Sequence, residues 1–260
     1  MSGRIETRVE DGIGWLIFDH AARRNALTHA MWNAIPKAVE AFEADADVRV
    51  VVMRGAGEMA FVSGADISEF SQNRVGDAAM VYDAVNGNAF STLQSLSKPL
   101  VAQIHGFCVG GGCALALCAD IRVAADDAVF AIPAARLGLG YSASGLATLV
   151  RVVGEAAARD LFLTARRVAA AEALQIGLVQ HVRPKAELDD FVAEFVAKLA
   201  SNAPLTLAAA KRALRDLALA PERRDPEAVA DAIRACYASD DYREGVAAFL
   251  EKRAPKFRGV

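Results

Sequence analysis

The sequence predicts an α/β fold with a helical C-terminal region. In the first part of the chain, apolar strand-like runs alternate with helix-like segments, which is typical of parallel strands joined by right-handed crossovers. After about residue 187 only helical patterns remain, and alanine is abundant. We therefore expect an α/β core over residues 1–186 and a helical region over residues 187–260.

The first predicted elements are a strand, a helix and a second strand. A turn at Asp11 and Gly12 precedes a strand over 13–18, and Thr28 is a suitable N-cap for an amphipathic helix to about residue 42. Residues 48–54 are apolar on both faces, as expected of a parallel strand covered on both sides.

The later segments continue the alternation and then become helical. The core pattern predicts a helix over 81–96, a short apolar helix from Cys113, and strands over 99–104, 121–124 and 129–132. The tail predicts four helices, over 187–200, 204–219, 226–238 and 241–252. These helices would pack on the core or on another subunit.

Composition excludes several classes of protein. The net charge of −3 does not suggest a nucleic-acid binder, which usually has a strongly basic face. No apolar run reaches the roughly 18–20 residues that span a bilayer, and the N-terminus has no apolar signal segment. The four cysteines show neither C-x-x-C spacing nor a nearby histidine cluster. We expect free thiols, a cytoplasmic location and no metal site.

Two glycine-containing turns are the main functional signal. They are Ser63-Gly64-Ala65-Asp66, expected to follow the apolar run over 48–54, and Gly110-Gly111-Gly112, expected to follow the run over 99–104. Each turn precedes a helical segment. Such turns leave backbone N–H groups unpaired, and two of them brought together would form an oxyanion hole. Neither turn has the spacing of a P-loop or of a dinucleotide fingerprint. The turns indicate an enzyme that acts on a carbonyl or thioester.

Five segments in this order carry a family resemblance: 24–27, 60–67, 105–113, 171–179 and 244–253. With them the chain resembles the crotonase (enoyl-CoA hydratase/isomerase) superfamily over nearly its whole length. The resemblance implies a spiral of ββα units, a trimerising helical C-terminus and a homotrimer or dimer of trimers. It also implies an acyl-CoA substrate whose coenzyme A enters with it, and no separate cofactor.

The resemblance also assigns residues. The N–H groups of Ala65 and Gly111 would hold the thioester oxygen of an enolate. Lys252 would reach CoA phosphates, often from a neighbouring subunit, although Arg24 and Lys252 are equally compatible with plain surface solvation. The residues expected to contact CoA or the acyl group are Arg24, Ala26, Ser63, Ala65, Asp66, Ile67, Gly110, Pro133, Leu139, Phe249 and Lys252.

The chain departs from the hydratase pattern at both expected glutamates. Hydratases that resemble it have one glutamate at the position of Ala114 and another at Ala134, just after Pro133. Alanine cannot transfer a proton, so the usual machinery for adding water is absent. Isomerases usually keep one of these carboxylates, so a standard isomerase is not indicated either.

Tyr141 lies beside the expected pocket and is a candidate proton donor. A comparable tyrosine occurs in the methylmalonyl-CoA decarboxylase branch, whose C-terminal sequence also resembles residues 240–245. That branch has a histidine where this chain has Ala65, which argues against the assignment. Tyr141 is also compatible with a packed turn residue whose hydroxyl is bonded locally.

Other polar residues have structural interpretations. Asp66 is expected to cap a helix, Glu69 to face the pocket or solvent, His105 to be a hydrogen-bonded structural group and Asp120 to stabilise a turn. The pocket wall is expected to include residues 71–90. Two classes of function remain open: an acyl-CoA enzyme that works through an enolate, decarboxylation included, and a catalytically silent acyl-CoA binding protein.

Overall fold

A six-stranded sheet forms the centre of the molecule in a computed structural model that describes residues 3–69 and 77–260. Its first two strands are an antiparallel hairpin and the others run parallel to the second. In spatial order the strands are β1 (Arg4–Glu10), β2 (Ile13–Asp19), β3 (Val50–Gly55), β5 (Leu100–Ile104), β7 (Ile121–Ala125) and β10 (His181–Arg183).

A second, smaller sheet of short strands lies beside the first. Its first three strands are parallel, and the fourth is antiparallel to the third. In order they are β4 (Ala60–Val62), β6 (Phe107–Val109), β8 (Val129–Ala131) and β9 (Val168–Ala169). The chain therefore alternates between a long strand in one sheet and a short strand in the other.

Helices follow the strands along the chain. In the core they are α1 (His29–Ala44), α2 (Asp77–Ser95), α3 (Gly111–Cys118), α4 (Ala143–Thr164) and α5 (Ala170–Gln175). The order β3-β4-α2 followed by β5-β6-α3 confirms the predicted spiral of ββα units. The tail contains α6 (Leu188–Ala200), α7 (Pro204–Leu217), α8 (Pro226–Ala238) and α9 (Asp240–Glu251), each close to its predicted bounds.

Both faces of the central strand β3 are buried, as its apolar sequence predicts. Val51 and Met53 face the main core with α1, whereas Val50 and Val52 face a second core. On that second face α6 packs its apolar stripe of Leu188, Val192 and Val196. The first tail helix thus packs on the core, and the boundary predicted at residue 186 stays a prediction.

The prediction that the two turns directly follow the long strands is wrong. The short strands β4 and β6 lie between the long strands and the turns. Glycines allow the chain to pass from a long strand in one sheet to a short strand in the other. A Cβ on Gly55 would lie 2.1 Å from the carbonyl oxygen of Ala60, and one on Gly106 would lie 2.1 Å from that of Met59. The backbone can turn back on itself only where no side chain intervenes.

Candidate active site

The carboxyl ends of three neighbouring parallel strands form the candidate site. Strand β4 leads into the Ser63–Asp66 turn, β6 into Gly110–Gly112, and β8 into Pro133, which begins a 3₁₀ turn. Parallel strands end at the same edge of a sheet, so their loops meet there, and such edges are common ligand sites. The short sheet therefore brings together segments that are far apart in the sequence.

The first turn is fixed by backbone hydrogen bonds to Leu27. The Leu27 N–H donates to the Gly64 carbonyl at 2.8 Å, and the Asp66 N–H donates to the Leu27 carbonyl at 2.8 Å. Ala65 lies between these two bonds. Its own N–H has no acceptor within residues 3–69 and 77–260.

The second turn opens helix α3. Gly110 has φ 54°, which favours glycine, and its N–H donates to the Ala131 carbonyl at 2.8 Å. Gly111 is the first helical residue, where an N–H has no partner inside the helix. A Cβ on Gly112 would lie 2.1 Å from the Val62 carbonyl oxygen, so α3 begins directly against β4.

The two turns are in contact. A Cβ built on Gly111 would lie 3.9 Å from the backbone nitrogen of Ala65 and 3.0 Å from Cζ2 of Trp32. A Cβ on Gly110 would lie 4.0 Å from the Cα of Gly64. Two backbone N–H groups without acceptors in the described chain therefore lie side by side, at the positive end of a helix.

A cavity of about 440 Å³ lies beside these turns. Most of the residues predicted from the sequence line it. They are Ser63, Ala65, Ile67, Gly110, Gly111, Pro133, Leu139 and Tyr141. Its volume is in the range of small-molecule sites, and its walls are mostly apolar with a few polar groups, as is usual for such sites.

Five residues predicted to contact the substrate are not part of this lining. Arg24 is exposed with its guanidinium 4.9 Å from the Phe107 ring centre, and Ala26 is buried beneath the first turn. Phe249 and Lys252 are exposed at the end of α9. The fifth, Asp66, is held by its neighbours.

Asp66 caps the 3₁₀ turn Ile67–Glu69, which agrees with the capping role expected of it. Its Oδ1 accepts hydrogen bonds from the Ser68 backbone N–H at 3.0 Å and from the Ser68 hydroxyl at 2.7 Å. Burial would raise the pKa of Asp66, but these bonds and the charge of Arg23 lower it below its ordinary value. Asp66 is therefore ionised and bonded, and it does not line the cavity.

Glu69 does not line the cavity and is half-buried. Its Oε2 accepts a hydrogen bond from the His29 N–H at 2.7 Å. His29 is the first residue of α1, where N–H groups need an outside acceptor. Asp120 does stabilise its turn, since its Oδ2 accepts from the Leu100 N–H at 2.7 Å.

His105 is buried, but the hydrogen bond expected of it is missing at one nitrogen. Its Nε2 has no partner among the described residues. Burial lowers the pKa of His105, as do the charges of Arg54 and Lys185. His105 is not in the cavity lining, so it is a structural residue kept neutral by its surroundings.

Ala114 and Ala134 both line the cavity. Two methyl groups therefore border the cavity at these positions. Among the described lining residues, the side chains with an ionisable proton are Asp83, Tyr141 and Cys118. Burial raises the pKa of the Cys118 thiol to about 12, so it stays protonated near neutral pH.

Helix α2 forms one wall of the cavity. The sequence predicted this wall only as part of residues 71–90. Residues 71–76 of that range lie outside the described residues. The contributing residues are Asp83, Asn86, Gly87, Phe90, Ser91 and Gln94. Trp32 of α1, which also lines the cavity, was missed altogether because it reads as an ordinary core residue of an amphipathic helix.

Within residues 3–69 and 77–260, every helix is too short or too polar to cross a bilayer. The same residues form no group of three or more His, Cys, Asp or Glu side chains able to hold a metal ion.

Comparison with known proteins agrees with this fold. The family model for enoyl-CoA hydratase/isomerase matches residues 8–260. The chain is 35% identical to a crotonyl-CoA hydratase of Syntrophomonas wolfei over 95% of both chains. It is 34% identical to a 2,3-dehydroadipyl-CoA hydratase of Escherichia coli over 94% of both.

A solved structure shares the fold almost completely. An enoyl-CoA hydratase/carnithine racemase from Magnetospirillum magneticum superimposes with a TM-score of 0.93 at 35% identity, covering 100% of this chain and 97% of the other. On these grounds the chain belongs to the enoyl-CoA hydratase/isomerase family of acyl-CoA enzymes.

Proposed function

We propose that this protein binds an acyl-CoA with the thioester oxygen between the N–H groups of Ala65 and Gly111, and stabilises the enolate formed there. One observation carries the proposal: a Cβ on Gly111 would lie 3.9 Å from the Ala65 nitrogen. Donors aimed in advance at developing charge, in a site that excludes water, are among the largest contributions to catalysis.

Hydration by a pair of glutamates is not part of the proposal. The relatives are named hydratases, but this chain has Ala114 and Ala134 at the two positions where the family pattern has glutamates. Tyr141 is proposed as the proton donor to the enolate carbon. Its support is its place in the cavity lining and its edge-on packing against Phe162, which orients the ring with centres 5.2 Å apart.

Decarboxylation is the less favoured enolate reaction. A carboxylate on the acyl group would need a cationic partner, and the lining residues within the described chain include no lysine, arginine or histidine. They do include Asp83, which would repel such a group. A silent acyl-CoA binding protein remains the second class of function.

The test is a panel of acyl-CoAs measured both for binding by calorimetry and for products by mass spectrometry. The proposal expects at least one thioester that binds and is converted. Tight binding without any product across the panel would favour the silent binding protein. If no thioester of the panel binds, both the acyl-CoA enzyme and the silent acyl-CoA binding protein are contradicted.

We also propose that the active form is a homotrimer or a dimer of trimers, with Arg24 and Lys252 near the CoA phosphates. Large apolar side chains are exposed on α8 and α9, including Tyr237, Phe249 and Leu250. Exposed apolar surface of this kind is typical of protein interfaces. A lyase-type reaction in the cytoplasm is part of the same proposal.

A further inference from the structure

Helix α2 presents one continuous face to the cavity. The lining residues Asp83, Asn86, Gly87, Phe90 and Gln94 follow the spacing of a single helical face. An adjacent face of the helix enters the core through Tyr82, Ala89 and Leu93. The cavity face is polar at most of its positions, whereas the walls that carry Ala114 and Ala134 are apolar.

An aromatic pair connects this face to the proposed oxyanion site. The rings of Phe90 and Trp32 meet edge to face with centres 5.4 Å apart. Cζ2 of Trp32 is the atom that would lie 3.0 Å from a Cβ on Gly111. The face of α2 is therefore held against the same space that the two turns border.

Gly87 leaves room for a ligand between the ends of this face. A Cβ built on Gly87 would have no atom of residues 3–69 or 77–260 within 4 Å. Glycine inside a helix is less favourable than alanine by ~1 kcal/mol, and no described neighbour requires it here. The missing side chain instead widens the cavity next to Asp83.

A proton acceptor for catalysis has to come from the side chains that line the cavity. The Cys118 thiol stays protonated, and the Tyr141 phenol supplies an O–H donor. Carboxylates are common general bases in enzymes. Asp83 is the one carboxylate among the described residues that line the cavity.

We infer that Asp83 is the catalytic base that removes the proton from the carbon next to the thioester, in place of the carboxylates missing at Ala114 and Ala134. This inference rests on the proposed function. In the step, the Asp83 carboxylate takes the α-proton and becomes a carboxylic acid. The C–H electron pair forms the enolate C=C bond, and the carbonyl π pair moves to the oxygen held by Ala65 and Gly111.

The step is reversible, and this makes it measurable without knowing the natural substrate. In D₂O the Asp83 acid exchanges its proton with solvent, so that return of the proton leaves deuterium on the α-carbon. The probes are butyryl-CoA and phenylacetyl-CoA, with deuterium uptake followed by mass spectrometry and binding by calorimetry.

Three variants separate the roles. Asp83→Asn removes the base, Asp83→Glu keeps a carboxylate, and Asp190→Asn makes the same change on the exposed surface of α6. Asp83→Asn should slow exchange by about 10²-fold or more, since a general base typically contributes 10²–10⁴-fold. Asp83→Glu should restore part of the rate, and Asp190→Asn should match the wild type. Binding should stay within a few-fold in all three.

The outcomes test the role of Asp83 separately from the acyl-CoA site. Failure of both probes to bind the wild type would overturn the proposed function itself. Binding without exchange in the wild type, or exchange that Asp83→Asn leaves unchanged, would overturn the role of Asp83 and leave the acyl-CoA site standing.

Discussion

Gly111 and Ala65 lie in the equivalent turns of two consecutive ββα units, and a Cβ on Gly111 would lie 3.9 Å from the Ala65 nitrogen. The contact exists because β4 and β6 are neighbouring parallel strands. Trp32 borders the same contact, since its ring edge lies 3.0 Å from this Cβ position. The short sheet and helix α1 therefore position Gly111 and Ala65 together.

Removing the N–H of Gly111 should abolish turnover. Gly111→Pro deletes the donor at the first position of α3, where proline is tolerated in helices. Loss of one oxyanion donor typically lowers kcat by ~10²–10³-fold. The measurement is steady-state turnover on whichever thioester the panel identifies.

Gly111→Ala is the matched control for this variant. It keeps the N–H but adds a Cβ against Trp32, as proline also does. Turnover should be lost much more in Gly111→Pro than in Gly111→Ala. Equal losses in the two variants would assign the effect to crowding and remove Gly111 as a donor.

Tyr141→Phe should reduce turnover while leaving binding and stability nearly unchanged. The phenyl ring still packs against Phe162, and only the hydroxyl is lost. Loss of a general acid typically lowers the rate by ~10²–10⁴-fold. Turnover within a few-fold of the wild type would exclude Tyr141 as the proton donor.

The purified protein should sediment as a trimer or a hexamer at micromolar concentration. Phe249 is 83% exposed and Leu250 is 74% exposed on α9, which is unusual for large apolar side chains on a monomer's surface. Sedimentation velocity is the direct measurement. A monomer throughout this range would remove Lys252 as a CoA contact from a neighbouring subunit.

Acidification should destabilise the protein partly through His105. Burial, together with the charges of Arg54 and Lys185, lowers the pKa of His105 in the folded state. Below the ordinary histidine pKa of about 6.5, the unfolded chain binds a proton that the folded chain does not. The free energy of unfolding therefore falls as the pH drops from about 7 toward the lowered pKa.

His105→Gln removes this group and should flatten that dependence. The measurement is urea unfolding of both proteins at pH 7.5 and pH 5. His181, whose pKa is lowered by burial and by Arg183, contributes equally to both and cancels in the comparison. An identical loss of stability in the variant would show that His105 does not titrate on unfolding.

Local signals predicted the helices α1, α2 and α3 and the strands β2, β3, β5 and β7. Thr28 was expected to cap α1, and its hydroxyl does accept a hydrogen bond from the Met31 N–H at 3.2 Å. Strand β1 was not predicted, because Arg4–Glu10 is polar and largely exposed and is defined by pairing with β2. Helix α4 was missed as well, and it is interrupted at Gly154, where φ is 77°.

The site was predictable where backbone chemistry is visible in the sequence. Glycines mark the two turns in the sequence. In the structure, Gly112 lies so close to the Val62 carbonyl oxygen that a side chain would not fit there. The wall of α2 was harder to predict, because a polar residue such as Asp83 or Asn86 on a helix normally faces solvent. Only the tertiary arrangement turns that face toward a cavity.

The central claim is an acyl-CoA site that does not add water through a glutamate pair. The most direct measurement is hydration of crotonyl-CoA by the wild type, next to the double variant Ala114→Glu/Ala134→Glu. Both positions line the cavity, and paired acid and base groups contribute ~10²–10⁴-fold each. The account predicts slow or undetectable hydration by the wild type and a gain in the double variant. Brisk wild-type hydration that Tyr141→Phe leaves unchanged would contradict it.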